Sequence, residues 1–252
     1  MLLLLPPSET KRDGGDAERV LDLAALSYPS LSRARRAAVS AVRSASRTLA
    51  GAQHALRLGP TQRFEIGRNR AMLTAPVMPA LSRYTGVLYD ALDADSLDDR
   101  ALELASRTVV VHSALFGLVG AADLIPAYRT SHDARLPGLR LGPHWRDVIT
   151  AELDAHDGLL LDLRSESYVA MGPVPAGPER YYLRVVAAAP DGQKRALNHF
   201  NKKGKGAFVR AVLQSGIDHP DVRSLLQWAD GCGIPLSIAA PGVLELVVDQ
   251  TR

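Results

Sequence analysis

The chain has 252 residues, 46% of them hydrophobic and 23% charged, enough to bury a large core and too apolar for a disordered segment. A net charge of +3 excludes naming a partner from bulk electrostatics, and the single cysteine, Cys232, excludes an intrachain disulfide. The apolar run in MLLLLPPSE is too short to span a bilayer and has no cationic leader, so a cytoplasmic chain without a membrane partner is expected.

Leu2–Leu5 reads as a buried strand stopped by Pro6-Pro7, with a polar loop from Ser8 to Asp16. Leu23 to Phe64 holds seven arginines and no acid. Within it, Leu31 to Ala50 reads as a helix, with Arg36, Ser40, Arg43 and Arg47 on one stripe, either a solvated face or an anion-facing one. Residues 76–92, PVMPALSRYTGVLYDAL, read as two helical pieces joined at Thr85-Gly86, and Asp95-Ser96 as the cap of a helix over Leu97 to Ser106. TVVVHSALFG and GLLLDLRS then give two buried strands with polar residues at their carboxyl ends. Tyr181–Ala188 and Lys194–Phe200 flank Pro190-Asp191-Gly192 as a hairpin. A helix beginning near Gly206, another over Asp221–Ala229, and a strand over Leu244–Val248 complete the chain. This order predicts an α/β fold, a mixed β-sheet surrounded by helices, with residues 1–252 forming a single domain.

Three constellations carry candidate chemistry. In HFNKKGKGAFVRAVL, at 199–213, four cations surround a Gly-x-Gly. Lys202, Lys203, Lys205, Gly206 and Arg210 are either a phosphate cradle of helix-hairpin-helix type or a lysine-rich turn. In PALSRYTGVLYDAL, Arg83 is positioned for a phosphate, while Tyr84 and Tyr89 also suit core packing. The third set gathers at strand ends: Ser8, Glu9 and Lys11; His112 and Ser113; Arg164 and Ser165; with Asp123, Tyr128, Arg129, Trp145 and Tyr168 around them. Asp123 as a turn cap paired to Arg129, and Trp145 as core, are the plainer assignments. Seven scattered histidines without i, i+4 pairs give no metal site, and no cofactor fingerprint is present.

Taken in order, LLPPSETK, RYTGVLYDALDADSL, SALFGLVGAADLIPAYR, WRDVI, DLRSESYVAMGP and HFNKKGKGAFVRAVL resemble the peroxide stress protein YaaA family. The resemblance implies a helix-hairpin-helix-like element, a basic cleft, DNA binding, and a role in limiting oxidative damage linked to intracellular iron. It places Arg129, Arg164, Ser165, Lys202, Lys205, Gly206 and Arg210 on matching motif positions. The chain departs at Gly120-Ala121-Ala122, where many members carry Arg-Pro after Leu-Val. Three function classes follow: a DNA-binding protein of the peroxide stress response that holds the phosphate backbone without strong sequence preference, an enzyme acting on a nucleotide or other phosphate-bearing small molecule through the strand-end residues, or a protein-interaction scaffold whose basic faces only solubilise it.

Overall fold

The computed structural model describes residues 1–188, 194–196 and 199–248. Five strands run parallel: β1 (Leu2–Leu5), β3 (Val109–Ser113), β6 (Leu160–Asp162), β7 (Arg180–Ala188) and β10 (Val243–Val248). Three more join them antiparallel: β4 (Gly117–Gly120), β8 (Lys194–Ala196) and β9 (Leu236–Ala240). The sheet order is β4-β3-β1-β6-β7-β10-β9, with β8 on the far end of β7. A separate two-stranded ladder pairs β2 (Met78–Pro79) with β5 (Leu124–Ile125). The mixed α/β sheet agrees with the sequence expectation.

The four leucines of β1 are buried on both faces, as a central parallel strand requires. Around the sheet lie α1 (Ser32–Ala45), α2 (Leu49–Leu56), α3 (Phe64–Ala71), α4 (Ala80–Arg83), α5 (Val87–Leu92) and α6 (Asp99–Thr108). They are followed by α7 (Leu141–Asp154), α8 (Glu166–Val169), α9 (His199–Ser215) and α10 (Val222–Gly231). One apolar cluster runs from Leu2 to Leu246.

Several boundaries differ from expectation. The helix expected over Leu31–Ala50 stops at Ala45, and α2 restarts where the Thr48 side chain accepts from the Gly51 amide. Asp98, not Asp95-Ser96, caps α6, because Asp95 and Ser96 are themselves wound into a 3-10 turn. Strands β4 and β9 and helix α7 were not expected. Pro143 falls in the first turn of α7, where a missing amide hydrogen costs nothing. The expected hairpin is present as β7–β8, but Pro190-Asp191-Gly192 lies outside the described residues, and His199 and Phe200 belong to α9.

The largest correction concerns α9. It begins at His199 rather than near Gly206 and runs unbroken through Gly204 and Gly206. Amides inside a helix donate to carbonyls four residues back, so this Gly-x-Gly does not form an anion-holding turn. The glycines serve close packing instead. A Cβ on Gly206 would sit 2.1 Å from the Leu88 carbonyl oxygen of α5, and one on Gly204 would sit 2.9 Å from Val248 of β10. The pieces expected at 76–92 are present as α4 and α5, joined where Gly86 takes φ 96°.

Helix α1 is fastened to the sheet by Arg35, which has no exposed surface. Its Nε donates to the Phe116 carbonyl at 2.8 Å and Nη2 to that of Leu118 at 2.5 Å. These carbonyls flank and belong to β4, the terminal strand on that side, so a guanidinium replaces the neighbour that an edge strand lacks.

Gly206→Ala tests the packing role. In an unencumbered helix the change stabilises by about 1 kcal/mol. Here the clash with Leu88 reverses the sign, and a net loss of about 1–3 kcal/mol is expected in denaturant unfolding.

Candidate functional site

The chain leaves β1 toward β3 on one side and leaves β6 toward β7 on the other, although β1 and β6 are neighbours. At such a reversal the connecting segments diverge and open a crevice beyond the carboxyl ends of the strands. A cleft of about 800 Å³ lies at this position. Its walls come from the loop after β1 (Pro6–Thr10), the start of α5 (Gly86–Tyr89), residues 130–132, the turn after β6 (Ser165–Tyr168), Tyr182, and the first turns of α9 (Asn201, Lys202, Lys205).

Local chemistry fixes these walls. The Ser8 hydroxyl accepts from the Thr10 amide at 3.3 Å, and the Thr10 hydroxyl donates to the Thr85 carbonyl at 3.3 Å, tying the β1 loop to α5. Gly86 permits this approach, since a Cβ there would lie 3.3 Å from both hydroxyls. Tyr182 donates to the Arg164 carbonyl at 3.2 Å. Lys205 is buried on the cleft wall and donates to the Leu163 carbonyl at 2.9 Å, so it joins α9 to the end of β6. Burial pulls its pKa down to about 8 against the opposing pull of Asp162.

The structure divides the expected site residues into three groups. Ser8, Ser165, Tyr168, Lys202 and Lys205 line the cleft. A second group lies buried: Arg164 has no exposed surface, donates to both Asp162 oxygens at 2.9 and 2.6 Å, and donates to His112 Nδ1 at 2.8 Å. Because guanidinium only donates, Nδ1 is the acceptor. His112, held neutral by burial and by Arg164, therefore carries its proton on Nε2. Ser113 accepts from the amides of Leu115 and Phe116 and shares a hydrogen bond with the Tyr128 hydroxyl at 2.7 Å, which in turn meets Tyr84 at 2.8 Å. Ser113 thus shapes the β3–β4 turn. Arg129 is 7% exposed and pairs with Glu9 at 2.6 Å, not with Asp123.

The third group lies elsewhere. Arg83 is fully buried and donates to the carbonyls of Ile125, Arg12, Gly14 and Pro76, so it staples loops and does not face a phosphate. Arg210 donates to the carbonyls of Leu92 and Asp93. Asp123 accepts from Ser27 and from the Gly120 amide, as a turn clamp. Gly206 packs on Leu88, Lys203 is exposed on α9, and Trp145 fills the core with its indole N–H on the Ala114 carbonyl at 2.9 Å. Tyr84 is a core residue, and Tyr89, also buried, borders the cleft.

The lining carries Lys202 and Lys205 against Glu9 and Glu166. Most of the expected cations are consumed internally, and hydroxyls dominate the walls. Thr10, Thr130, Ser131, Ser167, Tyr182 and Asn201 were not singled out from the sequence. For Thr10, Thr130, Ser131 and Ser167 the signal is the hydroxyl-rich run just after a strand or loop end, in Ser8–Thr10, Thr130–His132 and Ser165–Ser167; Tyr182, inside β7, and Asn201, inside α9, have no such signal. Among the described residues no helix is long and apolar enough to cross a membrane, and no group of three or more His, Cys, Asp or Glu is placed to hold a metal.

Lys11 lies behind the cleft wall, 5% exposed, donating to the Ser8 carbonyl at 2.9 Å with its ammonium 4.0 Å from the centre of the Tyr128 ring. Burial pulls its pKa down to about 7, opposed chiefly by Glu65. An unfolded lysine titrates near 10.5, so between these values folding releases a proton and stability rises with pH. Relative to Lys11→Met, the parent is expected to gain up to about 1.4 kcal/mol per pH unit between pH 7 and 10.5, and nothing below pH 7. Parallel denaturant titrations across this range check it.

The description "Peroxide stress protein YaaA" belongs to the family whose model matches residues 1–230. A UPF0246 protein of Streptomyces coelicolor is 39% identical over 245 residues, covering 96% of this chain and 94% of its own. One from Corynebacterium efficiens is 38% identical over 243 residues, covering 94% and 95%. A UPF0246 protein of Shewanella woodyi is 31% identical over 165 residues, 62% of this chain and 64% of its own. The match over nearly the whole chain, to the family model and to these relatives, means that the chain belongs to the peroxide stress protein YaaA family.

Proposed function

We propose that this chain, acting as a single domain, is a DNA-binding protein of the peroxide stress response that holds a sugar–phosphate segment in the cleft between β1 and β6. One observation carries the reading: the amino-terminal turn of the 17-residue α9 meets the strand-end hydroxyls at the crevice. A helix amino terminus presents unsatisfied amides and a partial positive charge, the environment a phosphate needs. Lys202 adds an exposed ammonium at the mouth, and Lys205 adds one in the wall. Ser165 and Ser167 supply donors that recognise a phosphate or ribose oxygen without reading a base. Weak sequence preference follows from that contact set.

A second reading is a small phosphate-bearing molecule, such as a nucleotide, in the same crevice. The volume of about 800 Å³ favours it, falling within the range of small-molecule sites, as does a wall that includes Tyr89, Tyr168 and Tyr182. Both readings use the same anion-recognising atoms and differ in what extends beyond them.

Binding of labelled duplex and single-stranded oligonucleotides, titrated over salt, separates them. Under the DNA reading, Lys202→Ala weakens binding equally across sequences and lowers the salt slope by about one. Affinity also falls as pH rises through about 8, because an anion binds the protonated form of Lys205. If nucleotides raise the melting temperature while oligonucleotides show no binding, the small-molecule reading replaces it.

A further inference from the structure

A second concave surface shares no residue with the cleft. It is a groove of about 370 Å³ along α1, lined by Arg36, Arg43, Arg47 and Arg70 with Ser40 and Ser44, over a floor of Leu23, Val39 and Leu73. The stripe read from the sequence is therefore one wall of a groove, not a convex solvated face. Arg36, Arg43 and Arg47 are exposed, and none of the three forms an ion pair with a described acidic residue.

That lack of acids is costly unless something fills it. Exposed helices usually space acids four residues from bases, gaining a few tenths of a kcal/mol per pair. Here no acid occurs between Leu23 and Phe64, and the like-charged Arg43 and Arg47 are four residues apart. The end of the stripe is also held in place. Arg70, from α3, donates its Nε to the Ser46 carbonyl at 2.7 Å and its Nη2 to that of Arg47 at 2.9 Å. The first is an orphan carbonyl at the carboxyl cap of α1 and the second lies one residue past it, so Arg70 fixes the position of Arg47 while adding its own charge to the groove.

From Arg36 to Arg43 the helical part of the stripe spans about 10 Å at a rise of 1.5 Å per residue, and Arg47 extends it just past the end of α1. The phosphates of one duplex strand advance about 3.4 Å per nucleotide along the duplex axis, so the helical part alone covers roughly three nucleotides. Guanidiniums and hydroxyls at this spacing, without carboxylates, suit a line of phosphodiesters. An acidic peptide is the less suitable occupant, since no groove backbone is offered to pair with it.

We propose that the α1 groove is a second phosphate-contact surface, which grips the backbone of a nucleic acid independently of the cleft between β1 and β6. This rests on the reading of the ligand as nucleic acid. Arg36, Arg43 and Arg47 each neutralise one phosphate, and Ser40 and Ser44 donate to the oxygens between them.

The test compares the full chain with the triple variant Arg36→Gln, Arg43→Gln, Arg47→Gln, and with Lys202→Ala, on a labelled 20-base-pair duplex. Losing three phosphate contacts lowers the salt slope by nearly three. The affinity lost between about 50 and about 200 mM salt then becomes about 40-fold smaller in the triple variant than in the parent. Glutamine keeps the helix propensity of arginine, so the melting temperature is expected to stay unchanged. Slopes lost in the triple variant and in Lys202→Ala are expected to add when combined, as for separated contacts. A parent that binds while the triple variant keeps its affinity and slope overturns this proposal and leaves the cleft reading standing. A slope reduced only in the triple variant supports the groove and removes the cleft as a DNA contact. No binding by the parent overturns both.

Discussion

A guanidinium cannot be deprotonated at any physiological pH, so an arginine drawn into a protein must find acceptors for its five donors. Among the described residues three arginines, Arg35, Arg83 and Arg164, have no exposed surface at all. Two are caged by backbone carbonyls, and the third is caged by Asp162, His112 and carbonyls of the turn after β6. Each cage collects segments far apart in sequence. Arg35 joins α1 to β4, Arg83 joins residues 12–14 to 76 and 125, and Arg164 joins β6 to β3 and to Gly172. Removing one would leave several buried acceptors unpaired, at about 1–3 kcal/mol each, so these residues behave as scaffold.

The same economy shapes the cleft. Its opening comes from topology, where β1 and β6 send the chain in opposite directions, and its walls are fixed by bonds that leave hydroxyls and Lys202 at the surface. Lys205 stands between the two roles. It holds the carbonyl end of β6 while its ammonium borders the cleft, and its lowered pKa records the cost of that position. Charge available for an outside anion is consequently concentrated at Lys202 and along α1.

Much of this was legible beforehand. Continuous apolar runs gave β1, β3 and β6, because central parallel strands are buried on both faces and need no alternation. Polar residues following those runs gave Ser8, Ser165 and, further on, Tyr168 in the cleft wall. Glycines misled. Gly204-x-Gly206 looked like a turn, yet a glycine without a side chain serves close approach as readily as unusual φ, and only the neighbour at Leu88 distinguishes them. Arginines misled for a related reason. Arg83 and Arg210 carry the charge of a phosphate ligand, but the carbonyls that consume that charge lie 42 and 118 residues away in the chain. Local patterns do not register such pairings. Helix α7 escaped because Gly142-Pro143 reads as a break, although a proline in a first turn is harmless.

The two rims of the sheet are unlike. At β4, Arg35 already occupies acceptors that an incoming strand would require, whereas β9 ends the other side with the sequence LSIAA, lacking charge and largely exposed. Strand addition is thus chemically blocked at one border and, among the described residues, unopposed by any like-charge barrier at the other, which gives the sheet a single direction in which it can lengthen.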